Sequence, residues 1–93
     1  MRSVDLALYA DALAGEAASF AARIERERSK VRQSALERAA RSELSSAAVE
    51  CLEELGLLRT QADPSAIVGL EEALDALEAL QAWVEEKLSR VAA

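Results

Sequence analysis

The feature that most constrains this chain is a run of core-type positions at alternating three- and four-residue steps: Ile67, Leu70, Leu74, Leu77, Gln81, Val84, Leu88 and Val91. Such a period belongs to a helix that buries one continuous seam against another helix, as in a coiled coil. Gln81 is its polar member; an amide there either specifies register and oligomeric state or sits at the seam margin and reaches water. Ala66, Ala73, Ala76, Leu80 and Trp83 widen the apolar face, so this helix is expected to meet two neighbours. Trp83, the only tryptophan, suits a core anchor and a partner-binding surface equally.

Upstream, Leu6, Ala10, Leu13, Ala17, Phe20, Ile24, Val31 and Ala35 recur at helical spacing. From Leu36 the apolar positions become Leu36, Ala40, Leu44, Ala47, Cys51, Leu55 and Leu58, which on a straight helix point the opposite way. Two readings follow. Either one helix of about 50 residues, some 75–80 Å long at 1.5 Å per residue, serves two packing partners. Or the chain turns near Gln33–Ser34, where Ser34-Ala35-Leu36-Glu37 has the capping-box form, and closes an antiparallel three-helix bundle. Residues 23–41 contain no Gly, Pro, Asn or Asp, which favours continuity. Gly15 interrupts the first stripe, as a close crossing point or as a tolerated surface residue.

The next boundary is plainer. Gly56 followed by Leu57 suits a C-terminal glycine cap, and Asp63-Pro64 suits a helix start with proline in the first turn. Ser3 is read as the cap of the first helix, with Asp5 in its first turn. The elements are therefore a helix over about 4–56, a connector over 57–63 and a helix over about 64–91, in a single helical domain spanning 1–93. The short connector makes the flanking helices antiparallel neighbours.

Composition supports an all-α chain. Ala (21) and Leu (14) are the best helix formers, against nine Val, Ile and Thr combined. Alanine seams bury little area, so a single thin core is marginal and self-association is the natural supplement. Cys51 is the only cysteine; it falls in the Leu36–Leu58 stripe and is read as a buried core residue, with no internal disulfide. Asp5, Asp11 and Glu16 interrupt any leader-like apolar stretch, and no run is apolar enough to span a membrane. Cytoplasm is the expected location. Nine Arg against two Lys, with the alanine content, suggests a GC-rich bacterial genome.

With no histidine in the chain, Ser-His-Asp and Cys-His catalytic sets cannot be built, and the commonest general base and metal ligand are missing. No glycine-rich phosphate loop occurs. Glu71, Asp75 and Glu78 share a helix side but read as a solvated acidic face. The chain is expected not to be an enzyme and to need no cofactor or metal. The net charge of −6 conceals an uneven distribution, with seven basic and three acidic groups in 23–41. Arg23, Arg26, Lys30, Arg38 and Arg41 form a basic stripe, and Arg26, Lys30 and Arg41 are its candidate polyanion contacts. Glu27 and Glu37 interrupt it, in i,i+4 relation to Arg23 and Arg41, and no aromatic residue is interleaved for base stacking. Nucleic acid is thus disfavoured as a partner.

The resulting reading is an all-α long helix with a shorter antiparallel helix, a helical hairpin that dimerises into a bundle. The hairpin core is assigned to Leu44, Leu55, Ile67, Leu70, Leu74, Leu77, Val84 and Leu88. The dimer seam is assigned to Leu6, Leu13, Ala17, Phe20, Ile24 and Val31. The expected role is a protein–protein interaction module: a homodimeric scaffold, adaptor or small regulatory subunit. The alternatives are a nucleic-acid-associated protein using 23–41 and a noncatalytic subunit of an enzyme complex.

Overall fold

The computed structural model describes residues 2–92, which form three helices: α1 (Ser3–Glu43), α2 (Ser46–Glu54) and α3 (Pro64–Ala92). The fold is all-α. The long helix α1 lies antiparallel to α3 along most of its length, and α2 meets only the end of α1. Together they make a rod of 70 × 19 × 14 Å.

Inside α1 the buried and half-buried positions are Leu6, Ala10, Leu13, Ala17, Phe20, Ile24, Glu27, Val31, Ser34, Glu37 and Ala40. As far as Ser34 they alternate by four and three residues, the 3.5-residue period that keeps one seam facing a partner helix, and Glu37 and Ala40 follow at steps of three. On α3 the matching positions are Leu70, Leu77 and Val84, flanked on one side by Ile67, Leu74, Gln81 and Leu88 and on the other by Ala66, Ala73, Leu80 and Lys87. The centre of the core is the cluster Leu6, Leu13 and Val84, with Ala10, Leu77, Leu80 and Leu88 packed around it. Leu6 is 2% exposed and Val84 not at all.

This arrangement reassigns the seams expected from sequence. Leu6, Leu13, Ala17, Phe20, Ile24 and Val31 do not await a second subunit, because α3 of the same chain lies along them. Leu44 and Leu55, expected in the hairpin core, are 46% and 66% exposed. The other six expected core residues, Ile67, Leu70, Leu74, Leu77, Val84 and Leu88, are buried or half-buried on α3. α3 contacts α1 and not α2. The reason is register: after the connector, α3 starts level with about residue 34 of α1, so the stripe beginning at Leu36 finds no helix opposite it. Cys51, expected in a core, is exposed on α2.

The helix boundaries differ in the same way. α1 passes straight through Gln33–Ser34 and ends at Glu43, where Leu44 turns extended at φ −87° and ψ 160°. Ser45 then caps α2, its side chain accepting the Ala48 N–H at 3.2 Å. The chain is therefore neither one helix to residue 56 nor broken at 33–34. Arg2, not Ser3, occupies the cap position of α1, and it makes no side-chain cap bond. Gly56 does act as a C-terminal cap, closing α2: its φ is +75°, Gly56 N–H donates to Glu53 C=O at 3.0 Å and Leu57 N–H to Leu52 C=O at 2.9 Å, the double bond pattern of a Schellman motif. Asp63 starts α3, its Oδ1 accepting the Ser65 N–H at 3.0 Å and the Ser65 hydroxyl. Gly15 has no atom within 4 Å of where a Cβ would stand, so it is not a crossing point within the chain.

Candidate functional site

At the elbow of the rod the connector is held back against α1 by side chains spaced one helical turn apart. Glu37 is 6% exposed; its Oε1 accepts the backbone N–H groups of Arg59 and Thr60 at 3.1 and 3.3 Å. Its Oε2 is buried and has no hydrogen-bond partner among the described residues. Gln33 donates to the Thr60 hydroxyl at 2.7 Å, and the Arg41 guanidinium donates to the Leu58 carbonyl. These bonds leave the Ser34–Glu37 capping box unmade: the carboxylate that would have closed it serves the connector instead.

Four of the seven basic residues of 23–41 are paired, two of them, Lys30 and Arg41, in the basic stripe. Arg28 reaches Glu71 of α3 at 2.6 Å, Lys30 pairs with Glu27 at 3.1 Å, Arg32 with Glu25 at 2.8 Å, and Arg41 with Glu53 of α2 at 3.4 Å. The hydrogen bond and charge of Arg32 hold the Glu25 carboxyl below its ordinary range. The i,i+4 pairs expected between Arg23 and Glu27 and between Glu37 and Arg41 do not form, since Glu27 turns to Lys30 and Glu37 to the connector. Of the candidate polyanion contacts, Lys30 and Arg41 are thus engaged inside the chain. Arg26 has no salt bridge among the described residues. Arg23 likewise has none, and its guanidinium lies 5.2 Å from the Phe20 ring centroid.

Arg23 and Arg26 border an open groove of about 370 Å³ between α1 and α3, completed by Glu27, Ala66, Gly69 and Leu70. Gly69 leaves this wall bare, for a Cβ there would meet no atom within 4 Å. Because the seam repeats every seven residues, Tyr9, Glu16, Arg23 and Lys30 occupy equivalent positions along one edge of α1, and Gly69, Ala76, Trp83 and Arg90 along the adjoining edge of α3. Tyr9 and Trp83 are 45% and 42% exposed, and the Lys87 ammonium lies 5.6 Å from the Trp83 ring. This side of the rod therefore carries two exposed aromatic rings toward its free end and two unpaired guanidinium groups beside a groove near its middle. On the opposite side, a smaller groove of about 170 Å³ beside Ile24 and Leu74 is bridged by the Arg28–Glu71 pair.

Tyr9, Gly69 and Glu37 do not stand out in the sequence as functional residues. A glycine inside a helix that otherwise needs none is the one available signal, because it costs about 1 kcal/mol relative to Ala. No group of three or more His, Cys, Asp and Glu side chains converges on a metal-sized site among the described residues. No helix among them is long and apolar enough to cross a membrane. Comparison with protein-family models, with curated proteins and with solved structures found no match.

Proposed function

We propose that this chain is a non-enzymatic helical interaction module that works in the cytoplasm as a homodimer, two hairpins pairing into a four-helix bundle. The observation that supports this reading is how much surface the single chain leaves uncovered. Folded domains bury their apolar stripes between at least two layers of structure; here one layer of two helices, 14 Å thick, stands alone. Its accessible surface is 6665 Å², about 1,400 Å² beyond the ~5,200 Å² that a compact 10.0 kDa monomer exposes. A stable protein interface takes about 800 Å² from each partner, so one further copy fits within the excess.

Light scattering of the full chain at micromolar concentration tests the reading. A mass about twice 10.0 kDa supports it, and a clean monomer across the micromolar range removes it.

A further inference from the structure

We propose that the second copy docks antiparallel on the edge carrying Gly69, Ala76 and Trp83, with Trp83 of each copy filling the groove beside Gly69 of the other. The proposal rests on the homodimer reading and names the surface through which it works. Gly69, Ala76 and Trp83 are spaced by seven residues, so they share one edge of α3, with the smallest side chain at one end, the largest at the other and an alanine midway. A two-fold axis crossing the rod at Ala76 is the one operation that sets Gly69 opposite Trp83 twice over, as an isologous interface requires. Fourteen residues of helix separate the two positions, about 21 Å, well inside the 70 Å rod. The groove of about 370 Å³ is large enough for an indole, and its rim is the guanidinium pair Arg23 and Arg26, the groups that favour an aromatic face.

The charges agree with the same axis. Ile24 lies level with Leu74 across the seam, and both line one groove. In that register the axis at Ala76 passes close to Ala22 of α1. It lays α1 over α1 of the second copy, running the other way, and brings Arg26 within about a turn of Glu16 on that copy. Arg26 and Glu16 both lack a salt bridge among the described residues, and each meets the other twice across the axis. The edge thus matches itself in size and in sign, whereas the Arg28–Glu71 side is already paired within the chain.

Sedimentation equilibrium on the full chain, with far-ultraviolet circular dichroism to confirm retained helix, tests the docking. The tested forms are the wild type, Gly69→Leu, Trp83→Ala, Arg26→Glu, Glu16→Arg and the Arg26→Glu/Glu16→Arg pair. A Cβ at Gly69 meets no atom within 4 Å, so Gly69→Leu narrows the open groove from a position with room for it and should weaken the dimer at least about tenfold with helix content intact, as should Trp83→Ala. Each single charge reversal should weaken the dimer and the double reversal should restore it. Because Trp83 is the only tryptophan, its emission should shift to the blue as concentration carries the wild type from monomer to dimer. A dimer whose constant ignores Gly69→Leu and the charge reversals, or whose tryptophan emission does not move, overturns this docking face and leaves the homodimer reading standing. A wild type that stays monomeric to about 100 µM removes both.

Discussion

Glu37 Oε1 accepts the Thr60 backbone N–H at 3.3 Å across 23 residues of sequence, and with the neighbouring bond from Arg59 it fastens the connector to the side of α1. The carboxylate does what a helix cap does, satisfying amides that have left one element and not yet entered the next. Its position decides where α3 begins relative to α1, and hence the register of the whole seam.

Replacing Glu37 by Ala should therefore cost about 2 kcal/mol, in line with losing charge-assisted bonds to partly buried amides. Urea unfolding measures the loss. Hydrogen exchange should localise it, with the Arg59 and Thr60 amides exchanging faster while amides in the middle of α1 keep their protection. Unchanged exchange at residues 59 and 60 would refute the clamp.

The seam and the uncovered stripe should respond oppositely to truncation. Leu13→Ala removes a side chain 6% exposed in the central cluster, and about 2–5 kcal/mol of stability should go with it. Leu36 is 72% exposed, so Leu36→Ala should change stability by less than about 0.5 kcal/mol. Thermal unfolding of the two variants side by side checks the contrast; equal losses would mean that Leu36 is covered in solution.

Two glycines should respond with opposite signs. Gly15 is helical and faces open space, so Gly15→Ala should raise stability by up to about 1 kcal/mol through helix propensity. Gly56 holds φ at +75°, a left-handed conformation that costs a side-chain-bearing residue about 1–2 kcal/mol, so Gly56→Ala should lower the melting temperature.

Asp63 supplies a pH-dependent increment. Its hydrogen bonds from the Ser65 hydroxyl and backbone hold the carboxyl below its ordinary value. A group whose pKa is depressed by folding stabilises the protein above its unfolded value, and the increment fades as pH falls through the folded one. The wild type should accordingly lose more stability than Asp63→Ala on acidification below the ordinary carboxylate range. Carboxyl chemical shifts followed through the acid titration should place Asp63 below the ordinary aspartate value.

The helical class, the 3.5-residue seam of α3, the Schellman close at Gly56 and the start at Asp63-Pro64 were all legible in the sequence, because each depends on residues within a turn or two of one another. The six residues Leu6 to Val31 were equally legible as one buried stripe. What they are buried against was not, since a stripe specifies a partner helix but not which chain provides it. Tertiary structure decided that through the elbow: the long helix ends at Glu43 and Leu44 turns extended with no Gly or Pro to announce it, and Glu37 ties back a connector 22 residues away. Polar seam positions such as Glu27, Ser34 and Glu37 hid the true course of the seam, and a straight-helix projection then showed a change of face where the paired helices have none. Local chemistry settled the elements; the register set by the Glu37 clamp settled which leucines α3 covers and which it leaves to solvent.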